Sequence, residues 1–401
     1  MSFLISWKDV PETADLEPVS ENFELKECKE RSFTAAENDS SVQHVFVSGD
    51  NYPSMKLLLP EFSGKVDFIY IDPPYNTGKK TFTYNDSFET DSWLSFMSRR
   101  LKLARQFLSE KGCIFISIGQ SELYRLKLLC DSIFGEENFI NDFMWLHGKG
   151  KKDCYSRTMQ QSTLCYAKCR SHLKPFFDFE KTDWAQKNPD NDSRGNWFSG
   201  SISFSEKRSS KTHPNYFEIV SPGGKKWNRQ WLVSRERMQE LISQNMIYWG
   251  EGPEYSNVPR VKIFNGQNNR IIPKNIVDDI ETTRDAQNYL DSLLGEKKCF
   301  DNPKPVSLIL HFLKIAGVSQ NSLVMDFFAG SGTTFEAVTR LNQEDGGKRR
   351  CILIQKPEEI SRPDSAFSSI SDLCFARIKK VIPPSDGITF ITCSPAACPK
   401  N

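Results

Sequence analysis

Charge of one sign, histidine, paired cysteines and long apolar runs are all scarce in this sequence of 401 residues. The 52 Lys and Arg almost cancel the 51 Asp and Glu, leaving a net charge of +1. No global field therefore draws the chain to a polyanion, and any basic contact surface must be local. The 11 cysteines are scattered singly. Cys165 and Cys169 are the closest internal pair, Cys393 and Cys398 lie near the end, and no C-x-x-C set occurs. The 5 histidines show no ligand spacing. These absences speak against a zinc module and predict no metal and reduced thiols, as in a cytoplasmic protein. No secretory leader is recognised, and no apolar run approaches the roughly 18 residues of a membrane span. What remains is a chain with 38% hydrophobic residues, long enough for about two domains or one domain with a large insertion.

The most informative run present is Asp72-Pro73-Pro74-Tyr75, directly after the apolar stretch 66–71. Two prolines at a strand end remove backbone donors and force the chain out of the sheet in a rigid turn. Asp72 then lies at the carboxyl edge, where open α/β sheets bind ligands. A carboxylate, a proline carbonyl and an aromatic face at one corner suit a planar base with an exocyclic amine.

Residues 1–40 are polar, with weak periodicity, and are expected to form a peripheral arm. A strand over 42–47, a helix around 54–59, the strand 66–71, a loop over 79–88, a helix from 91 to 108, a strand over 113–118 and a helix over 121–134 follow. This alternation predicts a doubly wound, mostly parallel α/β sheet over 41–145. From 146 to 294 aromatics, Gly, Asn and Lys dominate, and an inserted, largely irregular and β domain is expected. Alternation returns over 295–392: a helix over 306–316, strands over 322–326 and 351–355, helices over 333–341 and 364–380, a strand over 388–391, then a tail over 393–401.

A second chemical element, Asp326-Phe327-Phe328-Ala329-Gly330-Ser331-Gly332-Thr333-Thr334, links a strand to a helix. It is neither G-x-G-x-x-G nor a phosphate loop. Its glycines permit close approach, and free N–H groups at the helix start suit a carboxylate. An acidic residue followed by a short G-x-G fits a ligand with an amino acid end, such as S-adenosylmethionine. Gln355, at the end of the next strand, is the expected ribose contact. Asp50, at another strand end, is placed to accept from an adenine amine.

Together these residues resemble the β-class DNA amino-methyltransferases, in which DPPY precedes the cofactor loop. Gly49-Asp50-Asn51, DPPYNTG at 72–78, NPKP at 302–305, DFFAGSGTT at 326–334 and Cys351–Gln355 before Lys356-Pro357-Glu358 are similar to the modification subunits of type III restriction systems. Ser221–Trp227, Trp231 and Ile247–Gly250 are similar to that family's inserted target-recognition region. The resemblance implies a Rossmann-like S-adenosylmethionine-dependent fold with permuted motif order. It implies a double-stranded DNA substrate, with N6-adenine favoured over N4-cytosine by Asp72. A homodimer and a restriction partner are further implications.

The implied roles follow residue by residue. Asp72 and the Pro73 carbonyl accept the two amine hydrogens of a flipped base, with Pro74 fixing the corner. Tyr75 stacks on the base, a contact worth roughly 1–3 kcal/mol in comparable sites. Asp326 takes the cofactor's amino group, Gly330 to Thr333 its carboxylate, with the hydroxyls of Ser331, Thr333 and Thr334 nearby. Phe327 and Ala329 line its pocket, Asp50 and Asn51 its adenine end, and Lys304-Pro305 closes over the methionine end. Local phosphate contacts are expected from Lys149, Lys151, Lys152 and Arg157, and from Lys225, Lys226 and Arg229. A non-catalytic DNA-binding subunit that kept the fold is the rival of another class.

Overall fold

Short apolar strands without polar alternation are buried on both faces when helices cover both sides of a parallel sheet. The computed structural model, which describes residues 23–35, 41–78, 86, 90–148, 155–179, 188–250, 257–264, 270–360, 362 and 365–396, has this arrangement at its centre. In chain order the first elements are β1 (Phe23–Glu27), β2 (Gln43–Ser48), α1 (Asn51–Phe62), β3 (Val66–Ile71), α2 (Thr90–Phe107), β4 (Leu108–Ile118), α3 (Leu123–Phe134), β5 (Phe139–Leu146) and β6 (Gln160–Ala167). There follow β7 (Asp178–Phe179), β8 (Trp197–Ser201), β9 (Tyr216–Val220), β10 (Lys226–Gln230), α4 (Arg235–Ser243), β11 (Ile247–Tyr248), β12 (Arg260–Phe264) and β13 (Arg270–Ile271). The last are β14 (Ile276–Val277), α5 (Thr283–Leu294), α6 (Val306–Ile315), β15 (Leu323–Asp326), α7 (Thr333–Asp345), β16 (Arg350–Gln355), α8 (Ile370–Val381) and β17 (Gly387–Pro395).

The large sheet has ten strands in the order β1-β17-β2-β16-β15-β3-β4-β6-β5-β14. From β17 to β4 every neighbouring pair is parallel. The pairs β1–β17, β4–β6 and β6–β5 are antiparallel. Side chains alternate between the faces. Ile69 and Ile71 join the core under α1, α2 and α3, with Met55, Trp93, Leu101 and Leu129. Phe68 and Tyr70 join the core under α6, α7 and α8, with Phe312, Phe335 and Phe375.

The crossovers set the site. The chain steps from β3 to β4 in one direction across the sheet and from β15 to β16 in the other, while β3 and β15 are neighbours. Their carboxyl ends therefore flank the crevice that such a reversal opens. Asp72 follows one strand and Asp326 ends the other.

The chain divides into two compact units: one holds the residues up to Phe177 and from Ile272 onward, the other Asp178–Ile271. The second is smaller than the insertion expected over 146–294. Residues 160–167 form an interior strand of the large sheet, and Ile276–Val277 its edge. Antiparallel strands with bonded neighbours on both sides carry little of the βαβ rhythm used to place the boundary. Two further expectations change. The residues read as a peripheral arm include β1, which pairs with β17, so β17 runs on to Pro395, into the expected tail. The last helix starts at Ile370 rather than 364, capped by Ser369 on the N–H of Asp372.

The smaller unit has its own core of Ile202, Phe217, Trp231, Met238, Ile247 and Trp249. It also buries charge. Lys262 is fully enclosed, with Nζ 2.8 Å from Asp192 Oδ2 and also bonded to Asp190. Arg194 forks onto both Asp192 oxygens at 2.8 and 2.6 Å. These partners hold the Asp192 carboxyl far below the usual carboxylate range, chiefly through the Arg194 hydrogen bonds.

Candidate active site

The DPPY corner is held rigidly. The Trp93 indole of α2 donates to the Pro74 carbonyl at 2.9 Å, and the Ser121 hydroxyl donates to the Tyr75 carbonyl at 2.7 Å. Asn76 takes positive φ, 54°. The buried Asp86 accepts from the N–H groups of Asn76 at 2.9 Å and Thr77 at 3.1 Å. Most of the expected 79–88 loop lies outside the described residues. Gly119 lies under the Tyr75 ring, where a Cβ would come within 2.8 Å of it.

Both Asp72 oxygens carry donors. The Tyr75 hydroxyl gives to Oδ1 at 2.8 Å, and Lys304 Nζ to Oδ2 at 2.6 Å. The Lys304 ammonium also stands 5.1 Å from the Tyr75 ring centroid. Among the described residues no hydrogen-bond donor meets the Pro73 carbonyl. Lys304, expected at the methionine end of a cofactor, thus reaches the base corner, while its own carbonyl accepts from Thr333 Oγ1 at 3.3 Å. Lys304 spans the two chemical elements, and Pro305 is the N-cap residue of α6.

The glycine loop is the second wall. Asp326 is buried, with Oδ1 accepting from the Phe328 N–H at 2.9 Å and Oδ2 from Thr334 Oγ1 at 2.5 Å. Burial pushes its pKa up to about 7, against the pull of those two bonds and with some help from the Asp72 charge. Gly330 and Gly332 have φ of 53° and 83°, a region that side chains disfavour. A Cβ would meet the Phe300 ring at 3.3 Å from Gly330 and Cys374 Sγ at 3.1 Å from Gly332. The loop leads into α7 from Gly332, an N-cap residue with no side chain to cap it, whose own N–H, expected to face a carboxylate, is on the Ala329 carbonyl at 2.7 Å. Uncapped amides beside two acidic side chains fit a ligand that carries a carboxylate and positive charge.

Several expected contacts are taken up by the protein itself. Gln355 does not point a free amide at a ribose: Oε1 accepts from the Gly330 N–H at 2.7 Å and Nε2 donates to the Lys356 carbonyl at 3.0 Å. Phe327 is core, 1% exposed, and the partly exposed ring is its neighbour Phe328, against Phe96. Ala329 is buried, its N–H on the Ile354 carbonyl. Asp50 caps α1 through the Tyr52 N–H and pairs with Arg100 at 3.1 Å. Asn51 donates to the Phe327 carbonyl at 2.7 Å and accepts from Arg100 Nε. Ser331 and Thr333 meet the buried Arg377.

Arg100, Arg377 and Asp86 were not singled out in the sequence. The signal for the first two was a charged residue on an apolar helical stripe: Met97, Arg100, Leu101 and Ala104, or Leu373, Cys374, Arg377 and Ile378.

Of the basic residues, Lys149, Lys151 and Lys152 lie outside the described residues. Arg157 is exposed. Lys225 and Lys226 are exposed on the β9–β10 hairpin, with Lys225 4.4 Å from the Trp227 ring centroid and Lys226 3.3 Å from Glu218. Arg229 is largely buried and committed to the Phe204 carbonyl at 3.2 Å and to Glu206 at 3.4 Å, so it is an internal brace rather than a free cation. Among the described residues no helix is long and apolar enough to cross a membrane, and the nine of the 11 cysteines that lie among them are free thiols.

Residues 66–366 match a family of proteins described as DNA methylase, N6_N4_Mtase. The chain is 32% identical to the type III restriction-modification enzyme StyLTI Mod subunit of Salmonella typhimurium, over 87% of this chain and 58% of that protein. It is 31% identical to the EcoPI Mod subunit of Escherichia phage P1, over 89% of this chain and 65% of that one. It is 30% identical to the type II methyltransferase M.KpnI of Klebsiella pneumoniae, over 86% and 88% respectively. The chain thus spans about three-fifths of the length of the two Mod subunits.

Proposed function

The chain belongs to the DNA methylase family of N6 and N4 amino-methyltransferases, and from that premise we propose that it transfers a methyl group from S-adenosylmethionine to the N6 amine of adenine in double-stranded DNA. The observation that carries this reading is the neighbouring placement of Asp72 and the glycine loop at the reversal of the sheet, with Lys304 touching both. S-adenosylmethionine supplies an electrophilic methyl on a sulfonium, and the partly open Asp72 carboxylate suits positive charge, while Asp326, expected at the amino group, is enclosed and bonded within its own loop.

The chain's own residues do the rest. A base in a duplex cannot present its amine, so the target leaves the stack. The Pro73 carbonyl takes one amine hydrogen. Asp72 takes the other once one of its resident donors, Lys304 or the Tyr75 hydroxyl, gives way. These two acceptors draw the nitrogen toward tetrahedral geometry and fix its lone pair, and the product cation then releases its proton to the Asp72 carboxylate and from there to water. Alignment of this kind supplies up to about 7–11 kcal/mol of a barrier. Trp93, Ser121 and Asp86 make the corner stiff enough to provide it.

The unit Asp178–Ile271 is assigned to target recognition, with Lys225 and Lys226 meeting phosphates. Homodimerisation and a restriction partner belong to the same reading, since two relatives are Mod subunits of restriction-modification enzymes. The test is transfer of tritium from labelled cofactor to duplex DNA of varied sequence, followed by digestion to nucleosides. Label in N6-methyladenine is expected. Label in N4-methylcytosine moves the assignment to the other amine, and no label at saturating cofactor leaves only DNA binding.

A further inference from the structure

Ser and Thr hydroxyls beside a helix start ordinarily cap it, by accepting from its free N–H groups. The N-cap residue of α7 is Gly332, which has no side chain to cap with, and Ser331 and Thr333 flank it. Both hydroxyls are engaged elsewhere. Arg377 Nη1, from the buried face of α8, lies 3.1 Å from Ser331 Oγ, 2.9 Å from Thr333 Oγ1 and 3.3 Å from the Ser331 carbonyl. Arg377 is 1% exposed. Its Nε is fixed by Glu336 at 2.8 Å. Glu336 is buried in turn and accepts from Tyr289 and Arg340. Burial opposes the Glu336 charge, but Arg377, Tyr289 and Arg340 outweigh it and hold the carboxyl below its ordinary value.

We propose that Arg377, held by Glu336, is a positioning residue that fixes the glycine loop and the start of α7 in the shape that receives the amino acid end of the methyl donor. A guanidinium has no acceptor, so both hydroxyl oxygens must turn toward it. Without Arg377 the loop loses its bonds to α8 at Ser331 and Thr333 and is free to leave that shape. The inference rests on the S-adenosylmethionine reading and specifies how one end of that ligand is selected.

The experiment is calorimetric titration of the full chain, without DNA, with two ligands. S-adenosylhomocysteine has the amino acid end, and 5′-methylthioadenosine shares the thioadenosine but lacks it. In Arg377→Met, binding of S-adenosylhomocysteine is expected to weaken at least tenfold and that of methylthioadenosine less than threefold. Arg377→Lys should lie between, because an ammonium still donates to both hydroxyls. Equal weakening of the two ligands means general damage and overturns the proposal, as does S-adenosylhomocysteine binding within twofold of the wild type. Should Arg377→Met fail to give a cooperative melt, Arg377→Lys and Glu336→Gln decide by the same ratio of the two affinities. If the wild-type chain binds neither ligand, the cofactor reading itself fails, an outcome separate from any result on Arg377.

Discussion

Asp72 and Asp326 are the same residue type at the ends of adjacent strands, and their surroundings give them different work. Asp72 is partly open and holds two donors; Asp326 is enclosed and turned back into its own loop. Asp72→Ala should abolish methyl transfer while the affinity for S-adenosylhomocysteine stays within a few-fold. Its melting temperature should fall because the buried Lys304 ammonium loses its partner. Near-normal turnover in that variant would refute the role given to Asp72. Asp326 makes a prediction about pH. Its folded value of about 7 lies above the 3.8 of an ordinary Asp. Between these values the unfolded chain has released the proton and the folded one retains it, so stability falls as pH rises through that window. Asp326→Asn escapes this cost. Without ligand it should be more stable than the wild type at pH 8, by up to about 4 kcal/mol, with the gap closing toward pH 4. Urea unfolding at several pH values checks it, and a gap that widens toward acid would contradict the burial argument.

Helices place the reacting groups as much as strands do. Trp93, on α2, binds the Pro74 carbonyl from a fully buried position. Trp93→Phe keeps most of the apolar volume and removes that donor, leaving the carbonyl unsatisfied at a cost of about 1–3 kcal/mol. Transfer should fall several-fold through kcat, with little change in S-adenosylhomocysteine affinity; an unchanged kcat would show that the corner does not depend on α2. The strand 66–71, the helix after it and the glycine loop were legible in the sequence because apolar runs, prolines and glycines each constrain backbone locally. Other elements gave weaker local signals. The mostly polar helices α4 and α5 bury only Met238 and Leu241, and Ala286 and Leu290, respectively. The strand β1 depends on pairing with β17, more than 350 positions away.

At the scale of the whole molecule, two units with separate cores carry their charge differently. In Asp178–Ile271, Lys262, Asp190, Asp192 and Arg194 replace part of an apolar core. Lys262→Met removes the only enclosed ammonium among the described residues of that unit and leaves two acids underpaired. Breaking such a pair costs about 3–5 kcal/mol. The variant should unfold this unit at lower urea, while S-adenosylhomocysteine affinity is retained. Because the Asp192 carboxyl is held below its unfolded value, its contribution is complete above about pH 4 and is lost as pH falls toward the folded value. Acid should therefore weaken the wild-type unit more than the variant lacking Lys262, whose Asp192 has lost one of the partners that depress it; equal acid sensitivity would argue against the cluster as its anchor. The order of the two motifs and the parallel sheet were written in the sequence, since backbone chemistry and hydrophobic spacing act over a few residues. The pairing of Lys304 with Asp72, the turn of Gln355 toward Gly330 and the grip of Arg377 on the loop hydroxyls were decided by tertiary structure alone. A long polar side chain has several partners within reach, and only packing selects which one stands at bonding distance.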